Sequence, residues 1–203
     1  MIFMQAITIR GILWYVWMEL HKQLIGETKS PIITERGEIL YDYEYERKGT
    51  ANIFMYIEPL TGDMWGQVTQ RRTAQDWAES IRLMVDHNYP DVDMITLIMD
   101  NLNTHSKASL YEAFEPSEAK RIADKLNIHY TPRHGSWLNI AEIALNMLGK
   151  QYTGRRIESI TKLRHEFQSW IAERMKKPKR IDWQFTTKNA RIKLKRLYPR
   201  LGE

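Results

Sequence analysis

Two carboxylates stand where a divalent metal ion could be held. Asp100 directly follows the apolar run "MITLIM" and opens the polar segment "DNLNTHS", whereas Glu142 lies in "WLNIAEIAL", behind the tight loop "TPRHGS". Mg²⁺ takes octahedral oxygen ligation and is often held by one or two carboxylates. A pair of such ions can activate an attacking oxygen and stabilise a leaving one in phosphoryl transfer. Because each carboxylate sits at the end of a core element, the sequence predicts that they share a site at one sheet edge.

Structural roles for the same residues stay open at this point. An Asp-Asn pair after a strand often only starts a turn or caps the next helix. Asn139 followed three residues later by Glu142 is also a capping-box pattern, in which Glu142 would bond the backbone N–H of Asn139. His105, taken alone, is interpreted as a capping or packed histidine rather than a metal ligand.

The elements that must position these carboxylates can be read from apolar spacing and turn residues. The first half of the chain is typical of three strands and a helix, "ITIRGILWYVWMEL", "GTANIFMYIEP", "GDMWGQVTQ" and Thr73–Tyr89. The second half gives a buried strand, two short helices, a short strand and three further helices, namely "DMITLIM", "KASLYEAF", "PSEAKRIADKL", "NIHYTP", "WLNIAEIALNMLGKQY", about 159–175 and about 187–197. An antiparallel hairpin extended by strands reached through helical crossovers predicts an α/β fold, a ribonuclease-H-like mixed sheet flanked by helices.

Composition excludes several classes of site and compartment. The chain has no cysteine, which excludes disulfides, zinc–thiolate sites and thiol chemistry. Its longest apolar stretch, "ILWYVWM", is far too short to span a bilayer, so no membrane association is expected. The start "MIFMQAITIR" lacks the basic and small-residue regions of a signal peptide. We therefore expect a cytoplasmic protein.

Charge is distributed unevenly along the chain. Residues 1–149 carry 14 Lys and Arg against 20 Asp and Glu, a net charge of −6. Residues 150–203 carry 16 Lys and Arg against 5 Asp and Glu, a net charge of +11. A basic region on an acidic body favours a polyanionic partner, nucleic acid first, although a solvated basic helix face would give the same count.

Three blocks carry a family resemblance, namely "LIMDNLNTHS", "IHYTPRHGSWLNIAEIAL" and "WQFTTKNARIKLKRLYP". Together they resemble the DDE transposases of mariner-like bacterial insertion sequences, over about Tyr15 to Pro199. The resemblance implies one catalytic domain over residues 1–199, with a basic helical part from about 150 to 199. It also implies a two-metal site for Mg²⁺ or Mn²⁺, and cleavage and strand transfer of transposon DNA. A ribonuclease-H-fold nuclease of another kind is disfavoured by the Trp-Leu-Asn-x-x-Glu block.

The resemblance assigns roles residue by residue. Asp100 matches the second catalytic Asp and Glu142 the third carboxylate, both as metal ligands. The residues that support these motifs are Asn101, Trp137 and Asn139. Counting back from "QLIGET" places the first catalytic Asp at Met18, and a thioether cannot replace a carboxylate on Mg²⁺. Glu19 is adjacent, but strand alternation points it away from the site unless a bulge turns it inward, so it is only a possible substitute.

A second departure concerns the front of the chain. Relatives carry helix-turn-helix modules before the catalytic domain, and this sequence starts about one strand ahead of the first catalytic position, matching an amino-terminally truncated or decayed copy. We then expect impaired cleavage and DNA binding mainly through phosphates. The expected contacts are Arg133, His134, Arg191, Lys193, Lys195 and Arg196. For the last helix, packing through Ile192, Leu194 and Leu197 is the alternative.

Two functions from different classes remain. One is a transposase catalytic domain, impaired in this copy. The other is a non-enzymatic nucleic-acid-binding remnant of a transposase. A homodimer, or pairing with an intact transposase, is the protein partnership that the resemblance suggests.

Overall fold

A five-stranded mixed sheet between two helical layers forms the body of the molecule. The computed structural model describes residues 12–100, 105–131, 141–180, 189 and 192. The strands are β1 (Ile12–Glu27), β2 (Ile32–Ile33), β3 (Ile39–Leu40), β4 (Tyr45–Ile57), β5 (Met64–Thr69), β6 (Met94–Met99) and β7 (Leu126–Tyr130). The helices are α1 (Ala74–Leu83), α2 (Lys107–Ala113), α3 (Pro116–Asp124), α4 (Ala141–Leu148) and α5 (Ile160–Met175), with π-helical turns at Met84–Asn88 and Gly149–Thr153.

The main sheet has the order β5-β4-β1-β6-β7. Strands β5, β4 and β1 pair antiparallel, and β1, β6 and β7 pair parallel. Parallel neighbours need a crossover, and helices supply it on the way to β6 and to β7. The predicted hairpin, the predicted crossovers and the predicted strand "DMITLIM" are therefore confirmed.

Strand β1 is the centre of the sheet and is covered on both faces. Tyr15 and Trp17 are buried in a cluster with α1, α2 and α3, which defines the α1–α3 face. Val16 is buried in a second cluster with α4 and α5, which defines the α4–α5 face. Successive strand residues point to opposite faces, so odd and even positions of β1 enter different layers.

Helix ends follow the sequence signals closely. Thr73 caps α1 through a capping box, because its hydroxyl accepts from the Asp76 N–H and Asp76 accepts from the Thr73 N–H. Ser159 caps α5 by accepting from the Lys162 N–H at 3.2 Å. Trp77 and Trp170, both buried, anchor these helices in opposite layers.

The structure extends β1 well past the predicted strand. Beyond Leu20 it continues to Glu27 as a ribbon with the first half of β4, whose residues 45–50 are exposed. Between them, β2 and β3 form a small second sheet, which the sequence analysis did not predict. Two-residue strands leave almost no periodicity to detect, which is why the pattern missed them. Among the described residues, no helix is long and apolar enough to cross a membrane.

Gly66 tests how tightly α5 packs on the sheet. A Cβ at this position would meet the Phe54 carbonyl oxygen at 2.2 Å and the Phe167 ring at 2.8 Å. We expect Gly66→Ala to lower the free energy of unfolding by about 1–3 kcal/mol, the usual cost of overpacking, because backbone cannot yield cheaply. Urea unfolding measures the change. Gly149→Ala is the matched control, since nothing lies within 4 Å of its Cβ position, and a Gly66→Ala protein as stable as this control would contradict the packing.

Candidate metal site at the sheet edge

The register of the parallel strands β1 and β6 places Met18, in the middle of β1, beside Asp100, the residue that directly follows β6. The register of β1 on β6 pairs Val16 with Ile98, so two residues further along both strands lie Met18 and Asp100. Ile98 and Met18 both pack against the cluster on the α4–α5 face. Strand alternation directs Asp100 toward the same face. The two residues that the sequence analysis predicted for the first and second family Asp positions therefore lie side by side.

One oxygen of the Asp100 carboxylate has no hydrogen-bond partner among the described residues. That oxygen, Oδ1, is buried. Burial raises the pKa of the Asp100 carboxyl, because removing water disfavours the charged form. A buried carboxylate oxygen without a donor is costly in a merely structural role. That orphaned oxygen fits a cation ligand better than a turn-forming aspartate.

Helix α4 brings Glu142 to the same side of the sheet. Ala144, Leu145 and Leu148 of this helix are buried in the cluster on the α4–α5 face. Glu142 is the second residue of α4, in agreement with its predicted place in the first turn. The structure describes neither the Glu142 side chain nor Asn139, so the capping-box alternative stays open. The fold thus brings the Asp100 strand end and the Glu142 helix to one face.

Met18 supplies no carboxylate to this edge of the sheet. It is half-buried against apolar side chains and pairs across the sheet with Met55. A thioether adds neither a charge nor a hard oxygen donor for Mg²⁺. Within the part of the chain that the structure describes, no three acidic or histidine side chains are grouped so as to hold a metal ion. Asp100 can therefore serve as a ligand of a hard divalent ion, whereas Met18 cannot.

Glu19 lies on the opposite face from Met18. The β1–β4 register is regular from Val16 to Leu24 and shifts only between Leu24 and Ile25, so no bulge turns Glu19 inward. One carboxylate oxygen, Oε1, accepts from Arg72 Nη1 at 2.9 Å. The other, Oε2, lies 3.7 Å from His105 Nε2. Burial raises the pKa of the Glu19 carboxyl, the Arg72 guanidinium opposes this shift, and the neighbouring Asp100 carboxylate adds to it.

His105 is a packed histidine, as the sequence analysis interpreted it. Its side chain is 0% exposed, and its ring lies 4.5 Å from the Trp17 ring and 6.0 Å from the Trp77 ring, centroid to centroid. Tyr130 donates to its backbone carbonyl at 3.1 Å. Burial lowers the pKa of His105 to about 4, so the ring is neutral at pH 7. It fastens the chain that follows Asp100 to the α1–α3 face.

Several predicted site residues lie outside the described residues. These are Asn101, Arg133, His134, Trp137, Asn139, Arg191, Lys193, Lys195 and Arg196. Two residues of the last predicted helix, Asn189 and Ile192, are described and helical. Ile192 is 68% exposed, whereas the packing alternative for this helix expects it to be buried.

The sequence analysis did not single out Arg72. It lies between β5 and α1, in "RRT", and no motif marks it. Only the register of β1 and the fold of the β5–α1 connection show that it meets Glu19. The preceding strand and the following capping box allow the position of this connection to be predicted from the sequence. They do not indicate which of its side chains contacts another element.

Comparison with known proteins gives one family and one fold. The family described as "DDE superfamily endonuclease" matches residues 15–164, a range that contains Met18, Asp100 and Glu142. No curated protein sequence matches the chain significantly. A ribonuclease-H-like fold is shared with solved structures of Mos1 transposase, which confirms the predicted fold class.

Three of those structures illustrate the likeness. The Mos1 transposase paired-end complex with left transposon end has a TM-score of 0.54 at 8% identity, covering 78% of this chain and 47% of that chain. The Mos1 mariner paired-end complex with Mn gives 0.53 at 9% identity, covering 79% and 48%. The Mos1 strand transfer complex gives 0.52 at 8% identity, covering 80% and 47%. The chain thus spans about half the length of these proteins.

The low pKa of His105 predicts how stability depends on pH. A histidine whose folded pKa lies below its unfolded value stabilises the fold above the unfolded pKa, near 6.5, and loses this as pH falls toward 4. At pH 4.5 the loss relative to pH 7.5 is about 2–3 kcal/mol. Urea unfolding of the native chain and of His105→Gln at both pH values measures the contribution of His105 as the difference between their pH dependences. Glu19 and Asp100 titrate in both proteins, so their contributions cancel. Equal pH dependence in the two proteins would contradict a buried neutral histidine.

Proposed function

We propose that this chain, which belongs to the DDE superfamily endonuclease family, is the catalytic part of a transposase whose metal site is incomplete. The observation that carries the proposal is the place of Asp100 directly after β6, where the β1–β6 register puts it beside Met18, together with a buried Asp100 carboxylate oxygen that no described residue bonds. The site has the placement that metal-dependent phosphoryl transfer needs and lacks one of its acids. A mariner-like bacterial insertion sequence is the proposed source.

Asp100 and Glu142 are the residues that would hold Mg²⁺ or Mn²⁺. When bound, such ions supply Lewis-acid polarisation of a phosphate and neutralise charge that develops during transfer. The chain itself contributes an oxygen already stripped of water at Asp100 and a helix that carries the second acid to the same face. Met18 removes one negative charge, so a second ion would be held weakly.

The partner that we propose is DNA, bound mainly through its phosphates. The similar solved structures are described as transposase complexes with a transposon end and in strand transfer. The net charge of +11 over residues 150–203 supports an electrostatic contact for this chain. The proposed phosphate contacts are Arg133, His134, Arg191, Lys193, Lys195 and Arg196. A homodimer, or pairing with an intact transposase, would give the site its second DNA end.

A second function is favoured by the same methionine. If the incomplete site holds no metal, the chain is a nucleic-acid-binding remnant that can occupy transposon DNA without cutting it. The two functions make different predictions for the restored carboxylate, since only a latent catalytic site gains activity from it.

Restoring the carboxylate is therefore the direct test. We expect little Mn²⁺-dependent nicking of supercoiled plasmid by the native chain, and a gain in Met18→Asp that exceeds the roughly 10- to 100-fold cost of losing an outer-shell metal partner. The reason is that Asp at residue 18 would face the same side as Asp100. Agarose gels resolve nicked from supercoiled plasmid.

The matched control is the double variant Met18→Asp, Asp100→Asn, which should return nicking to the native level. Native nicking that survives Asp100→Asn would contradict the metal role of Asp100. No nicking by any variant, together with intact DNA binding, would favour the binding remnant.

Salt dependence tests the basic carboxyl-terminal contacts. Neutralising one phosphate-binding cation reduces the slope of log K against log salt by about 0.9 on duplex DNA. We expect Lys193→Gln combined with Lys195→Gln to reduce the slope by about 2, as measured by fluorescence anisotropy over a salt series. Lys120→Gln, an exposed cation paired with Asp124 on α3, is the control. An unchanged slope in the double variant would leave those lysines as a solvated surface.

A further inference from the structure

The connection between β5 and α1 presents a cation beside the site. Thr69 donates to the Arg71 carbonyl at 2.6 Å, and Thr73 and Asp76 close a capping box at the start of α1. Arg72 therefore stands on backbone that is fixed on both sides. A side chain on such backbone can be aimed at little cost in conformational entropy.

Glu19 holds the Arg72 side chain in one direction. The carboxylate is 11% exposed and the arginine 57%, with 2.9 Å between Glu19 Oε1 and Arg72 Nη1. An exposed ion pair of this kind contributes little to stability. Burying the Glu19 carboxylate is costly, and the bond to Arg72 offsets part of that cost while it fixes the direction of the guanidinium.

Most N–H donors of the Arg72 guanidinium are not used by the described residues. Arginine has five N–H donors in a planar fork, and the bond to Glu19 uses one of them. None of the others is bonded to a described residue. The same fork matches the oxygens of a phosphate, often with two parallel hydrogen bonds.

The position of this pair also argues against Glu19 as a metal ligand. Glu19 lies on the α1–α3 face, across the strand from Met18. A guanidinium 2.9 Å from its Oε1 already occupies the place of a cation there, and a divalent ion would be repelled by it. Glu19 nevertheless directly follows Met18 along β1, so the Glu19–Arg72 pair borders the same end of the sheet.

We propose that Glu19 is the anchor of Arg72, and that Arg72 binds a backbone phosphate of the DNA strand at the edge of the metal site. The inference rests on the proposed function, because it takes DNA as the substrate. Glu19 is in this account a positioning residue, and Arg72 contacts the substrate. The contact does not need a metal ion, so it can be measured without one.

The first arm of the test measures duplex binding in the presence of a chelator. We expect Arg72→Gln to lower the slope of log K against log salt by about 0.9, and Arg72→Lys to restore the slope because it restores the charge. Arg121→Gln is the matched control, since Arg121 is likewise a half-exposed arginine paired with an acid, Asp86, but on α3. A slope for Arg72→Gln equal to that of Arg121→Gln would overturn the proposal.

The second arm separates the anchor from a metal ligand. Mn²⁺ binding is measured by electron paramagnetic resonance in Met18→Asp with and without Glu19→Gln. An anchor leaves the Mn²⁺ affinity unchanged within about twofold, whereas loss of a ligand would weaken it by 10-fold or more. Weakened Mn²⁺ binding in Glu19→Gln would overturn the assignment of Glu19.

The results that would contradict the role of Arg72 are different from those that would contradict the proposed function. Absence of nicking in Met18→Asp counts against the catalytic proposal and leaves the chelator experiment intact. An unchanged salt slope in Arg72→Gln counts against Arg72 whether or not the plasmid is cut. Urea unfolding of each variant confirms that a loss of binding does not arise from a loss of fold.

Discussion

The alternation of side chains along β1 is the constraint on which the rest of the molecule depends. This strand is paired on both edges and covered on both faces, so each residue is committed to one of two layers. Shifting the strand by one position would exchange the two layers completely. Trp17 would then enter the α4–α5 layer and Val16 the α1–α3 layer, at a cost far larger than any single site interaction.

That commitment gives neighbouring residues unrelated roles. Met18 and Glu19 are adjacent in sequence, yet one borders the candidate metal site and the other the arginine on the far side of the strand. Moving a carboxylate by one residue from its family position therefore places it on the opposite face of the sheet. The sheet cannot accommodate the change by sliding, because the register is regular around both residues.

More of the fold than of the candidate site could be predicted from the sequence. Apolar runs and turn residues predicted the hairpin, the buried strand before Asp100 and helix α5, because each has its own periodicity and end signals. The ribbon beyond Leu20 and the short strands β2 and β3 were missed, since exposed strands lack an apolar alternation. Asp100 could be singled out as a carboxylate at a strand end, but only the family resemblance drew attention to Met18. Arg72 could not be found, because its contact with Glu19 joins elements far apart in the chain.

The central place of β1 also bears on how the chain is made. β1 precedes its partners along the chain, because its parallel partner β6 follows only after β4, β5 and α1, and the cover on its second face comes later still, from α4 and α5. The far end of the strand is also bonded late, because the Ile25 N–H donates to the Ile157 carbonyl. During synthesis the central strand thus stays partly uncovered until α4 and α5 have left the ribosome. Non-local pairing of this kind folds slowly and exposes nascent chains to aggregation.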